Sequence, residues 1–154
     1  ALSRLNEMFK SHEKIKKTYW AIVQSPPPTP QGCLENYLWR NEKQNKSFVV
    51  KPDSKDAKHA VVSYKTIAQS ERCTLLEINI ETGRHHQLRC QLSAIGSPIK
   101  GDLKYGAKRS NPDGGISLHA RKIEFIHPVS KVSISIIAPV PDDTLWRELE
   151  LNYK

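Results

Sequence analysis

Cysteine, acidic residues and long apolar runs are all scarce in this sequence, and each scarcity excludes something. The three cysteines, Cys33, Cys73 and Cys90, are odd in number and form no Cys-x-x-Cys pair. That argues against a disulfide framework and against a zinc site, and a reducing compartment, the cytoplasm, is expected. No apolar run approaches a membrane span, and no secretory signal pattern is visible. There is no Gly-rich phosphate loop of the Walker kind, no paired-carboxylate spacing, and no aspartate beside His and Ser or Cys as a triad needs. The six histidines never fall at His-x-x-x-His spacing. His85 and His86, as helix neighbours, would point about 100° apart. No metal is expected. Internal repeats are absent, and low complexity is confined to the proline run at 25–30.

The acidic shortage is 16 Asp and Glu against 24 Lys and Arg, a net charge of +8. Such an excess favours nucleic acid or another anionic surface, although charge alone never names the partner. A chain of 154 residues suffices for one domain with a real core. Its 38% hydrophobic and 26% charged residues suit a globular protein and not a disordered tail.

Taken in order, residues 2–13 read as an amphipathic helix with Leu2, Leu5 and Phe9 on its apolar face. The chain opens inside that pattern at Ala1 with no cap, which marks either a trimmed terminus or part of a longer protein. Residues 18–23 are a strand by residue type, preceded by Lys14, Lys16 and Lys17. After the stiff prolines, 32–40 and 47–51 form a hairpin around the polar linker 41–46. Residues 60–67 pair antiparallel with Thr74–Ile80, where Leu76, Ile78 and Ile80 alternate with polar neighbours as in a half-buried strand. The glycine-rich stretch 97–116 is a long loop. Strands follow at Leu118–Ile126 and 132–138. Asp142 and Asp143 then open a closing helix through 149, at the end of its dipole that favours acids. Many strands, short links and few helices predict an α+β domain on a mixed, largely antiparallel sheet.

One stretch organises the rest: Thr82-Gly83-Arg84-His85-His86-Gln87-Leu88-Arg89. It lies where the strand period gives way to helical spacing at Leu88, Leu92 and Ile95, with Gly96 and Pro98 as stop signals. The pattern predicts a strand, a tight turn capped by Thr82 and a helix over 84–95. Free N–H groups at a helix start, crowded by two arginines and two histidines, suit an anion. Arg89 lies at the border of the buried face, with His86 as its neighbour one turn back. Its planar fork suits a carboxylate or phosphate; a plain surface arginine fits the spacing equally. Tyr19, beside a lysine pair, either stacks on a base or packs in the core. Asp53, Asp56, Asp102 and Asp113 sit in loops, where aspartate usually caps or turns the backbone.

The order of segments resembles one known family. Lys17-Thr18-Tyr19-Trp20-Ala21-Ile22-Val23 is similar to the Lys-x-Tyr-x-Ala-x-Val segment of RluA-type RNA pseudouridine synthases. Thr82-Gly83-Arg84-His85-His86-Gln87-Leu88-Arg89 resembles their Thr-Gly-Arg-Thr/Ser-His-Gln-Ile/Leu-Arg motif. Pro98-Ile99-Lys100-Gly101-Asp102 through Tyr105-Gly106, Leu118-His119-Ala120, and Phe125-Ile126-His127-Pro128 match the downstream markers in order.

The resemblance implies cofactor-free isomerisation of uridine to pseudouridine in structured RNA, ribosomal or transfer, after the nucleotide is flipped into a pocket. An aspartate attacks the nucleotide; the uracil detaches, turns, and rejoins through carbon five. By position, Tyr19 corresponds to the tyrosine that stacks on uracil and assists proton removal. Arg89 corresponds to the arginine that pairs with the nucleophilic aspartate, and Leu88 to an apolar residue near the base. Arg84, His86 and Lys17 are the expected RNA contacts, and a monomer is expected. His85 replaces a small hydroxyl residue and by spacing faces the side of Leu88. The departure that matters is the nucleophile. The family's Arg-Leu-Asp and Thr-Ser-Gly precede the tyrosine strand, whereas Arg4-Leu5-Asn6 matches the helix after them. The chain is therefore expected to be the C-terminal part of a catalytic domain, inactive alone, with the aspartate upstream of Ala1. If the chain alone turned over, Asp102 would be the first suspect. Two rival readings are a non-catalytic RNA-binding protein on the same fold and a basic scaffold protein that binds partners by charge.

Overall fold

The computed structural model describes residues 15–153; the helix expected over 2–13 and Arg4-Leu5-Asn6 lie outside the described residues. Seven strands form one sheet: β1 (Ile15–Val23), β2 (Gln31–Asn41), β3 (Lys46–Val50), β4 (Lys58–Gln69), β5 (Thr74–Ile80), β6 (Leu118–Ile126) and β7 (Ser133–Ile137). Their order is β3-β2-β4-β5-β1-β6-β7. Every neighbouring pair is antiparallel, so the described sheet is antiparallel throughout. The expected elements recur within a few residues. β4 runs longer than its apolar pattern, because its ladder with β5 continues past an irregularity at Thr66/Ala68.

Alternation along the central strand sends side chains to two layers. On one face, Ala21 and Val23 of β1 join Val62, Tyr64, Leu76 and Ile78 beneath Leu88 and Leu92 of helix α1 (Gln87–Ala94). On the other, Trp20, Ile22 and Leu75 pack against Trp146 and Leu149 of helix α2 (Thr144–Tyr153). The sequence pattern marked β5 as half-buried. Thr74, Leu75 and Leu76 are in fact all buried, because helices cover both faces of the sheet at its centre. α2 opens as its sequence predicts, with the Asp143 carboxylate accepting from the Leu145 and Trp146 N–H groups at 3.1 and 3.3 Å.

Candidate active site

The strand–turn–helix forms, but its chemistry differs from the expected cap. Helix α1 begins at Gln87, not 84, and its N-cap is His86, in the left-handed region at φ 50 with no side-chain cap bond. Thr82 is drawn away by tertiary partners. Its Oγ1 accepts from the Val61 N–H (2.9 Å) and donates to Gln87 Oε1 (2.8 Å). Buried Gln87 takes over the capping work: its Oε1 accepts from the Arg84 N–H (3.0 Å), while its Nε2 donates to the Val61 carbonyl (3.1 Å). Gln87 therefore pins the turn to β4, a role the sequence did not signal.

That anchoring fixes Arg89 at the first turn of α1. Its Nε and Nη2 both donate to Asp102, at 2.8 Å to each carboxylate oxygen. The Asp102 side chain is only 1% exposed, against 21% for Arg89. Asp102 does precede a 3-10 turn (Leu103–Tyr105), yet its side chain makes no cap bond. The expectation that it caps or turns the backbone is thus corrected, since both oxygens are spent on the guanidinium. Gly101, at φ 88, permits the reversal that delivers Asp102. A Cβ there would lie 2.7 Å from the Gly115 carbonyl oxygen.

The rest of the cluster is aromatic. The guanidinium carbon of Arg89 lies 4.9 Å from the Tyr105 ring centroid, a cation–π distance. Arg89 Nη1 is 3.1 Å from His86 Nε2, and His86 Nδ1 is 2.8 Å from Tyr105 Oη. Tyr105 Oη in turn accepts from the Ser47 N–H at 2.8 Å. Burial, then the nearby Arg89 charge, lowers the His86 pKa to about 4. The ring is neutral near pH 7, so Nε2 accepts from Arg89 and Nδ1 carries the proton toward Tyr105, a tautomer assigned from the network. Burial raises the Tyr105 pKa, and the hydrogen bond to Asp102 raises that of Arg89. Of the five guanidinium N–H donors, Asp102 and His86 occupy three. One on each Nη remains for a second acceptor, on a side chain that still reaches solvent.

The predicted residues fall into three places. Leu88 and Tyr19 share the apolar cluster under α1, where Tyr19 stands in a cross-strand row with Ile78 and Tyr64. Tyr19 and Lys17 also line a shallow trough of about 260 Å³ with Ala120, Ile123 and Ile136. Arg89 and His86 lie in the hydrogen-bonded cluster. Arg84 lies apart, its Nε donating to the His59 carbonyl (2.8 Å) at the edge of a groove with Arg40 and Lys58. His85 does not face the side of Leu88. It stacks on His86, ring centroids 3.8 Å apart, with Nδ1 2.9 Å from Ser47 Oγ and Nε2 3.0 Å from Asn45 Oδ1. Helical spacing failed there because 85 and 86 precede the helix and His86 is left-handed. Among the described residues, no group of three or more His, Cys, Asp or Glu is placed to hold a metal ion.

Residues 1–94 match the family model described as RNA pseudouridylate synthase. The chain is 36% identical over 146 residues to the ribosomal large subunit pseudouridine synthase D of Xylella fastidiosa, covering 86% of this chain and 43% of that protein. It is 31% identical over 132 residues to the uncharacterized RNA pseudouridine synthase YlyB of Bacillus subtilis, covering 86% of this chain and 43% of that protein. The chain thus spans less than half the length of these relatives. Human RNA Pseudouridylate Synthase Domain Containing 4 has the same fold, with TM-score 0.71 at 23% identity over 91% of this chain and 63% of that one. Human RNA Pseudouridylate Synthase Domain Containing 1 gives 0.70 at 21% identity over 88% and 58%. The chain belongs to the RluA-type RNA pseudouridine synthase family.

Proposed function

We propose that the protein isomerises uridine to pseudouridine in structured RNA, ribosomal or transfer, in the cytoplasm, and that these residues form the C-terminal part of a single catalytic domain. The carrying observation is the Arg89 guanidinium, locked by Asp102 with two donors to spare, on the residue that follows Leu88 of the apolar cluster against which Tyr19 packs. In this reading those donors hold the nucleophilic aspartate, supplied by another part of the polypeptide. Tyr19 offers its ring to the uracil, and Leu88 gives the base an apolar contact. Asp102 is not the nucleophile: both its oxygens are bound and its side chain is 1% exposed. Arg89 stabilises the attacking carboxylate in its charged form and orients it, which is positioning combined with electrostatic catalysis.

The test is pseudouridine formation on uridine-containing ribosomal and transfer RNA. The 154 residues alone are expected to yield no product, whereas a polypeptide that includes the upstream segment is active and loses activity on Arg89→Met or Tyr19→Ala. Product from the chain alone, abolished by Asp102→Asn, would overturn this assignment of the nucleophile.

A further inference from the structure

Asp102 engages two of the three guanidinium nitrogens of Arg89, Nε and Nη2. The third, Nη1, meets Nε2 of His86 at 3.1 Å. That contact is only as firm as the His86 ring, and His86 stands before the helix in left-handed backbone, where the rotamer limits of a helix interior do not apply. Two neighbours set the ring instead. Tyr105 Oη takes its Nδ1 side at 2.8 Å, and the His85 ring covers one face, with centroids 3.8 Å apart and planes 27° from parallel. His85 is itself anchored through both ring nitrogens: Nδ1 lies 2.9 Å from Ser47 Oγ and Nε2 lies 3.0 Å from Asn45 Oδ1. Ser47 Oγ also donates to the His85 carbonyl at 2.8 Å. Both anchors sit at the tip of the β2–β3 hairpin, about forty residues away in sequence, where Lys104 Nζ donates to the Gln44 and Asn45 carbonyls. A ring fixed by such distant partners is a wall for its neighbour. The motif that this turn resembles has a small hydroxyl residue at position 85, which offers no ring, so the stack is a property of this chain.

We propose that His85 is a positioning residue for the reaction: its ring, anchored to the β2–β3 hairpin, holds the His86 imidazole against Nη1 of Arg89 and so aims the two remaining guanidinium N–H groups at the attacking carboxylate. This rests on the proposed function for the identity of that carboxylate, whereas the hold on His86 has a readout of its own. Arginine donates to an imidazole nitrogen only while that nitrogen keeps its lone pair, so the contact requires a neutral His86. The groups packed around the two rings favour that state. Arg40 of β2, Lys46 of β3, Arg89 of α1 and Lys104 of the 3-10 turn are cations, set against the Asp102 carboxylate, with the Tyr105 hydroxyl among them. Burial acts in the same direction on His86, and the stacked His85 ring supplies part of it. Without His85, the His86 ring gains both freedom and water, and Arg89 loses the firm acceptor on its third nitrogen while keeping Asp102 on the other two.

The experiment pairs steady-state pseudouridine formation with NMR titration of the histidine rings, on the polypeptide that includes the upstream segment. His85→Ala should lower kcat roughly tenfold, part of the ~10² that a displacement of about 1 Å can cost, with KM within about twofold. In the same variant the His86 titration should move up from about 4 toward the ordinary 6.5. His85→Phe keeps a ring for the stack and gives up the ring hydrogen bonds; it should restore kcat to within about threefold of wild type and return the His86 titration downward. With His86→Asn already in place, adding His85→Ala should cost less than about twofold, since the two residues act in series. Circular dichroism establishes that the variants fold. A merely structural role would lower the unfolding midpoint of His85→Ala and leave kcat per folded enzyme and the His86 titration where they were; that result overturns the proposal. A rise in KM at unchanged kcat also overturns it, by making His85 a substrate contact. So does His85→Phe performing no better than His85→Ala, and so does a full additive loss in the His86→Asn background. If the wild-type polypeptide forms no pseudouridine, the proposed function falls, and the His86 titration still decides whether His85 holds that ring. If product forms and His85→Ala changes neither kcat nor the titration, the function stands and His85 has no part in it.

Discussion

Replacing Asp102 by asparagine tests the centre of the site most directly. The side chain keeps its shape, so the buried space is unchanged, but the bidentate acceptor becomes one acceptor and one donor. One oxygen can still accept from Arg89. The new amide N–H₂ faces an N–H that was 2.8 Å from a carboxylate oxygen. Losing one charge-assisted hydrogen bond costs about 1.5–3 kcal/mol. Breaking a buried ion pair costs ~3–5 kcal/mol when the remaining charge is stranded. Here Arg89 is 21% exposed and can be rehydrated in part, so about 2–3 kcal/mol is expected. Denaturant unfolding followed by tryptophan emission suits this protein, since Trp20 and Trp146 are buried on the opposite sheet face. A double-mutant cycle with Arg89→Met should return a coupling of about 2 kcal/mol. In the active enzyme, a guanidinium misplaced by about 1 Å predicts a loss of roughly 10² in turnover with little change in KM. Coupling below about 0.5 kcal/mol, the scatter for independent sites, would refute the claim that Asp102 fixes Arg89.

Other perturbations read neighbouring parts of the same device. Gly101→Ala places a methyl 2.7 Å from the Gly115 carbonyl at φ 88, so a loss of more than about 2 kcal/mol and a lowered melting temperature are expected; a wild-type melting curve would contradict this. Gln87→Ala removes the partner of Thr82, Arg84 and the Val61 carbonyl, at about 2–3 kcal/mol, and should show as faster amide exchange in the first turn of α1. The lowered His86 pKa makes a pH prediction. Below about pH 6.5 the unfolded chain binds a proton that the folded ring refuses, so stability falls as pH drops toward about 4 and this group adds no further loss below that. His86→Asn, which tolerates the left-handed backbone, should flatten that slope in denaturant midpoints measured from pH 7 to 4. An identical slope would remove His86 as its source.

Much of the fold is written locally. Alternation at Leu76, Ile78 and Ile80 located β5, and at Val132, Ile134 and Ile136 located β7, because the side chains of an extended strand point to opposite faces whatever its partner. The switch to helical spacing located α1, and two aspartates announced α2. The ordered motifs named the family and pointed to Arg89, Tyr19 and Leu88. What the sequence could not carry was any interaction whose partner is distant along the chain. Asp102 is thirteen residues from Arg89 and reads as an ordinary loop aspartate until the left-handed Gly101 turns it inward. Thr82 reads as a cap until the Val61 N–H, twenty-one residues upstream, claims its hydroxyl. The groove of Arg40, Lys58 and Arg84 draws on three separate elements, and only the lateral order of β3, β2 and β4 beside the α1 turn brings them together. Periodicity and capping record each residue's own surroundings; hydrogen bonds and charge pairs across the sheet exist only once the chain has closed on itself.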